Sequence, residues 1–281
     1  MLTSYHDTGG RLWRLMVGFC LFLVMFMIST GRVFLVHGAD SSPPELDVGY
    51  VPTPHEVVQR MLEMAGVHDD DFVVDLGSGD GRIVVAAIRD FDARLALGID
   101  LDPQRVAEGR ESARRDGVED RTVFLEGDLF GMDFSDATVL TMYLLPALNL
   151  RLKPIILKDM APGTRIVSHA FDMGDWIPDQ AEIVAGHAVY LWIVPARVEG
   201  DWTVRAPDHS EFALSFTQTF QQIKGHAVIN GSRTELTGLR LRGNRILFSI
   251  GEDQYIGRIM GDTIVPDPSQ EEATDWHARR K

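Results

Sequence analysis

Two parts of different class are predicted: an α/β fold built on a mainly parallel sheet, and a small antiparallel β part that follows it. Three observations predict them. Short apolar, mostly β-branched runs alternate with helical patterns from residue 55 to residue 169, the rhythm of strands joined by helical crossovers. One run, Phe72-Val73-Val74-Asp75, leads into a glycine-rich turn, Leu76-Gly77-Ser78-Gly79-Asp80-Gly81, and then into an apolar helix start at Arg82 to Ile88. From Phe212 onward the apolar period is two and turn signals recur at short intervals.

The chain begins differently. Arg11 and Arg14 precede an apolar run, Leu15 to Ile28, which resumes after Gly31-Arg32 through Val33 to Val36 and ends at His37-Gly38-Ala39. A basic start, an apolar middle and small residues near a cut are the layout of a signal peptide. With its flanks, Leu12 to Val36 is also long enough to cross a hydrocarbon layer of about 30 Å. Residues 1–39 are therefore expected to be a signal peptide or a membrane anchor, associating through residues 12–36, and residues 40–47, with Ser41-Ser42-Pro43-Pro44, a linker. The single cysteine, Cys20, lies in the apolar run and excludes an intrachain disulfide.

Tyr50-Val51-Pro52-Thr53-Pro54 then leads into a helix with Thr53 as N-cap, Pro54 in the first position and Glu56 closing a capping box. Val57, Met61, Met64 and Ala65 share one face, and Gly66 ends it. The glycine turn comes next, and glycines admit a ligand to bare backbone. The pyrophosphate fingerprint is G-x-G-x-x-G. Here the order is G-x-G-x-G, bordered by Asp75 and Asp80, two carboxylates that would repel a pyrophosphate. They suit a cation without phosphate, such as S-adenosylmethionine with its ammonium, sulfonium and ribose diol. A plain surface loop is the alternative.

The second strand, Ala93 to Asp100, ends in a carboxylate whose two oxygens match the two hydroxyls of a ribose. Asp102-Pro103 caps the helix that runs to Arg115. A third strand, Arg121 to Leu125, is followed by Glu126-Gly127-Asp128-Leu129, where an acid can accept from an adenine amino group or simply make a surface turn. The fourth strand, Ala137 to Met142, delivers Tyr143-Leu144-Leu145-Pro146 to the carboxyl edge, where such sheets bind ligands. Leu148 to Met160 reads as a helix that Pro154 kinks or splits. The fifth strand, Thr164 to Ser168, ends at His169, a base or a packing residue. Ala181 to Val184 and Ala188 to Val194 form a closing hairpin through Gly186.

Five strands alternating with helices and closed by a hairpin resemble the class I S-adenosylmethionine-dependent methyltransferases, with their Rossmann-like seven-stranded sheet. A closer resemblance is to membrane-anchored protein-lysine methyltransferases whose mitochondrial members modify the c subunit of ATP synthase and the adenine nucleotide translocase. It is carried by the N-terminal apolar segment, Tyr50-Val51-Pro52-Thr53-Pro54, Asp75-Leu76-Gly77-Ser78-Gly79-Asp80-Gly81-Arg82, Tyr143-Leu144-Leu145-Pro146 and Gly163-Thr164-Arg165-Ile166-Val167-Ser168-His169, between Val48 and Pro178. It implies cofactor binding by Asp75, Gly77, Gly79, Asp100 and Asp128, and lysine methylation as the activity. Thr53, Ser78, Asp80, Leu101 and Leu129 complete the expected cofactor set, and Tyr143 and His169 are the expected catalytic pair. No metal is expected. The fourth strand lacks the Asn/Asp-Pro-Pro-aromatic motif of nucleobase and glutamine methyltransferases. The C-terminal part has no counterpart in the mitochondrial members.

That part alternates Phe212, Leu214, Phe216, Gln218 and Phe220 with small or polar residues, and turns recur at Lys224-Gly225, Asn230-Gly231, Arg242-Gly243-Asn244, Gly251-Glu252-Asp253 and Gly261-Asp262. A meander or partly closed barrel is expected between Gly200 and Val265, as a packing or a substrate-docking module. The expected domains are thus 48–195, a methyltransferase, and 196–266, antiparallel β, with 267–281 a disordered tail.

The formal net charge of −14 opposes nucleic-acid backbones. A protein substrate presenting a lysine is the expected partner. Two other functions stay open: a methyltransferase for small molecules or lipids at a membrane, and an exported, non-catalytic binding module that keeps the fold. The basic residues before the apolar run place the globular part outside the cytoplasm, whereas its cofactor is made inside, so the membrane side stays open.

Overall fold

The computed structural model describes residues 50–206, 208–268 and 276–281. The segments expected as signal peptide or anchor (1–39) and linker (40–47) lie outside the described residues. Among the described residues no helix is long and apolar enough to cross a membrane.

The first part is a seven-stranded mixed sheet. Its strands are β1 (Phe72–Leu76), β2 (Leu95–Asp100), β3 (Thr122–Glu126), β4 (Val139–Met142), β5 (Arg165–His169), β6 (Gln180–Val184) and β7 (His187–Ile193). They lie in the order β3-β2-β1-β4-β5-β7-β6. The first five are parallel and β7 runs antiparallel beside β5. The helices are α1 (His55–Ala65), α2 (Arg82–Arg89), α3 (Pro103–Arg115) and α4 (Pro146–Asp159). Strand alternation divides the core. Val73 joins α1, α2 and α3 on one face, and Val74 joins Leu148, Leu152 and Ile156 of α4 on the other. The strand order reverses between β1 and β4, which opens a crevice at their carboxyl ends.

Two local expectations are corrected. Thr53 does not cap α1: Pro54 precedes the helix, no side chain caps it, and the Thr53 hydroxyl is engaged with His169 instead. Pro154 does not split α4 into two short helices: it is continuous from Pro146 to Asp159. Pro154 and Leu150 both face solvent, so water can take the carbonyl that the proline leaves without a donor.

The second part is a nine-stranded antiparallel sheet. It comprises β8 (Gly200–Arg205), β9 (Glu211–Thr219), β10 (Gln222–Ile229), β11 (Ser232–Glu235), β12 (Thr237–Arg242), β13 (Arg245–Ile250), β14 (Asp253–Met260), β15 (Thr263–Pro266) and β16 (His277–Arg280). Its order is β11-β10-β9-β8-β16-β15-β14-β13-β12. The Leu236 amide, between the two edge strands, donates to Gly225 on β10, which draws the edges together into a partly closed barrel. Trp202, Phe216, Phe248 and Trp276 fill it.

Here the tail expectation fails in part. Residues 276–281 are not disordered: β16 pairs with both β8 and β15 and joins the two halves of the sheet. Only Trp276 and Ala278 of this segment are buried, so its sequence shows almost no apolar alternation. The two sheets touch where the Trp176 indole donates to Gln221 and stacks on Phe220, and where the Ala196 amide donates to Gly243.

Candidate active site

The glycine turn is shaped by backbone before any side chain acts. Gly77, Gly79 and Gly81 all take positive φ, at 74°, 52° and 79°. The amides of Gly77 and Ser78 both donate to the Ile99 carbonyl, at 2.9 and 3.0 Å, which pins the turn to the end of β2. The Gly79 amide donates to Asp100 Oδ2 at 2.8 Å, and the Asp102 amide to Asp100 Oδ1 at 3.0 Å. Asp100 therefore does structural work in the turn and also lines the crevice.

One cavity occupies this crevice. Its lining includes all ten residues expected to hold a cofactor: Thr53, Asp75, Gly77, Ser78, Gly79, Asp80, Asp100, Leu101, Asp128 and Leu129. Tyr143 lines it too. His169 does not: it is fully buried behind Thr53 and Tyr143, its ring centroid 3.8 Å from that of Tyr143. Thr53 Oγ1 lies 3.1 Å from His169 Nδ1, and His169 Nε2 lies 3.0 Å from His187 Nδ1. The His169 imidazole is pushed down to about 4, by burial first and by His187 second, so it is neutral at ordinary pH.

The carboxylates differ in state. Asp75 is buried and pushed up to about 8, chiefly by loss of solvent and further by the charges of Asp100 and Asp80. Its Oδ1 accepts from the Thr141 hydroxyl at 2.7 Å. Asp80 is held below its ordinary value: burial pushes up, and the hydrogen bonds and charge of Arg82 outweigh it. Arg82 donates to both Asp80 oxygens and, through Nη1, to the Thr53 carbonyl at 2.8 Å. Asp128 is exposed and accepts from the Phe130 amide at 2.9 Å.

Sequence reasoning missed four participants. Tyr50 packs on Gly79 so tightly that a Cβ there would overlap its ring, and the Arg105 guanidinium lies 4.4 Å over the same ring. Thr141 is the β4 register partner of Asp75, a polar residue in an otherwise apolar strand. His187 opens β7 and has no local signal at all.

The chemistry of the lining selects among ligands. Asp75, raised chiefly by burial and further by two neighbouring acids, is a carboxyl that a bound cation would ionise. The Ser78 hydroxyl is buried and has no hydrogen-bond partner among the described residues. These groups fit a cation that also carries hydroxyls or amines, as S-adenosylmethionine does, and they do not fit a polyphosphate.

The chain is 44% identical over 151 residues to a protein-lysine N-methyltransferase of Saccharolobus islandicus, spanning 52% of this chain and 94% of that one. The chain belongs to this methyltransferase family. A family model for the ANTKMT methyltransferase domain matches residues 75–180 of the methyltransferase. An adenine nucleotide translocase lysine N-methyltransferase of Mus musculus is 32% identical over 136 residues, 48% of this chain and 58% of the relative. Among solved structures, an RNA methyltransferase from Salinibacter ruber in complex with S-adenosyl-L-homocysteine is 49% identical, with a TM-score of 0.52, and the match covers 53% of the methyltransferase and 96% of that chain. All these matches leave a large share of the chain outside them.

Proposed function

We propose that the protein transfers the methyl group of S-adenosylmethionine to the ε-amino group of lysine in a protein substrate. The observation that carries this reading is the acid-bordered, glycine-floored cavity at the strand-order reversal, in a chain 44% identical to a protein-lysine N-methyltransferase. In this reading Asp75, Asp80, Asp100 and Asp128 answer the cofactor's positive charge, diol and amine. Gly77, Ser78 and Gly79 give it a backbone floor, and Thr53, Leu101 and Leu129 enclose it. Bound there, the cofactor supplies an electrophilic methyl group and the protein supplies alignment and exclusion of water.

The acceptor is the chemical difficulty. A lysine ammonium has no lone pair and its ordinary pKa is about 10.4. It must shed a proton first, and an apolar wall beside a cation lowers the cost. Tyr143 orients the amine through its hydroxyl, and His169, neutral and one residue deep, takes part in moving the proton. Residues 48–195 form the methyltransferase domain, residues 196–266 together with β16 a β module, and residues 12–36 the link to a membrane.

A second reading, RNA as acceptor, draws on the Salinibacter ruber relative. The net charge of −14 opposes it. One experiment decides: the full chain with methyl-labelled cofactor, offered separate protein, RNA and lipid fractions of a membrane-containing extract. Label on protein, located on lysine by mass spectrometry, is the expected result. Label confined to RNA or lipid overturns it. Fractionating cells that express the chain with and without residues 1–39 tests the membrane link.

A further inference from the structure

Behind the cavity runs a line of polar groups along one face of the sheet, the face of Val167 and Val189. Thr53 lines the cavity and its Oγ1 lies 3.1 Å from His169 Nδ1. The opposite nitrogen of that ring, Nε2, lies 3.0 Å from His187 Nδ1. His169 and Thr53 are buried, and His187 is half-exposed at the start of β7. A group on the cavity wall, a fully buried imidazole and a solvent-touching imidazole thus stand within hydrogen-bond reach of each other in series, drawn from three separate stretches of chain.

We propose that Thr53, His169 and His187 form a proton wire, and that His187 is the outlet through which the lysine proton reaches solvent. The proposal rests on the lysine reading, because only an ammonium acceptor has a proton to lose before transfer.

The wire works with one set of protons. The Thr53 hydroxyl donates to His169 Nδ1, and His169 Nε2–H donates to His187 Nδ1. When the lysine ammonium gives its proton to Thr53 Oγ1, the Thr53 proton passes to His169 Nδ1. The Nε2 proton of His169 passes to His187 Nδ1, and the proton on the far ring nitrogen of His187 leaves to water. One proton enters and one leaves. The amine keeps its electron pair, Thr53 and both imidazoles end neutral, each ring in its other tautomer and reset by turning over in its own plane before the next cycle, and no oxidant or second reactant is needed.

Two features fit a conduit better than a packing contact. Burial keeps His169 neutral, so it passes a proton without storing one. The Tyr143 ring lies against the His169 ring, which fixes the imidazole plane between its two partners. Burying an imidazole for packing alone would need one partner on each nitrogen, and nothing would require the chain of partners to start at the cavity and end at solvent.

Two measurements on the full chain test the wire. The first uses S-adenosylmethionine and poly-L-lysine as probes. His187→Ala is expected to lower kcat about tenfold, short of the 10²–10⁴ typical of a directly acting acid or base because water replaces part of the outlet, with KM and cofactor affinity changed by less than about twofold. Added imidazole should restore much of the loss. The second needs no turnover: nitrogen NMR of the cofactor-free wild type should show His169 Nδ1 bare and Nε2 protonated. An active wild type whose kcat His187→Ala leaves unchanged, a loss that imidazole does not mend, or the opposite His169 tautomer overturns the wire and leaves the lysine reading standing. A wild type that cannot methylate poly-L-lysine but does methylate RNA or lipid overturns the lysine reading, and the wire with it.

Discussion

Asp75 should make cofactor affinity depend on pH. In the cofactor-free protein its carboxyl is pushed up to about 8 by burial and by the charges of Asp100 and Asp80. At pH 7 it is then protonated in about nine molecules of ten. A cationic ligand favours the carboxylate, so binding should expel close to one proton. Apparent affinity should rise about tenfold per pH unit below about 8, and binding at pH 7 should fall short of its plateau by about 1.4 kcal/mol. Stability moves the other way. The folded value lies above the ordinary 3.8, so the contribution of the bound proton is fully present below 3.8 and is lost as pH rises through about 8. Calorimetric titration of S-adenosylmethionine at pH 7, in two buffers of different ionisation enthalpy, reads the proton directly. Asp75→Asn, which mimics the neutral acid, should fold as well as the wild type, bind more weakly at pH 8 and lose the slope. If binding releases no proton, or if the variant keeps the slope, the account of Asp75 as the buried anion of the site is wrong.

Three further substitutions separate the parts of the site from each other and from the β module. Asp100→Ala should weaken cofactor binding by about 1–3 kcal/mol, and it should also loosen the turn, because the Gly79 amide loses its acceptor; calorimetry reads the first effect and amide exchange at Gly79 the second, and unchanged affinity would remove Asp100 from the site. Tyr143→Phe should lower kcat and leave cofactor affinity within about twofold, since a hydroxyl that orients the acceptor acts after the cofactor is bound; equal loss in both would mean that Tyr143 holds the cofactor instead. Trp276→Ala should cost the β module about 3–5 kcal/mol, the range for emptying a fully buried tryptophan that packs on Phe248 and Tyr255; thermal unfolding measures it, and a shift within error would return residues 276–281 to the status of a dispensable tail.

The parallel sheet was legible because each strand is a short apolar run closed by a chemically distinctive residue: Asp75 after Val74, Asp100 after Ile99, Tyr143 after Met142. Local pattern is enough to place such residues at one edge, since parallel strands deliver their carboxyl ends to the same side. What stayed hidden depends on contacts between distant positions. Thr53 and His169 are 116 positions apart, and the sequence around Thr53 offers it an equally good local use as a helix cap. The Thr141–Asp75 bond depends on the β1–β4 register, which no periodicity reports. β16 was invisible for another reason. Its sequence, His277-Ala278-Arg279-Arg280, is polar, and it is held as a strand by neighbours on both sides.

The short strap from Tyr50 to Thr53 joins functions that the sequence presents separately. Arg82 grips the Thr53 carbonyl and Asp80 together, so the strap is fixed to the glycine turn. Tyr50 lies over Gly79 beneath Arg105, so the same strap roofs the crevice. The Thr53 hydroxyl is then left to meet His169 Nδ1. A water-filled crevice would screen the carboxylates and ease the loss of any bound cation. A roof anchored through a backbone carbonyl excludes water without using up the threonine hydroxyl. That division of labour, carbonyl to Arg82 and hydroxyl to His169, explains why a residue placed well for helix capping does not cap: the cap would take the one group that connects the cavity to the imidazoles behind it.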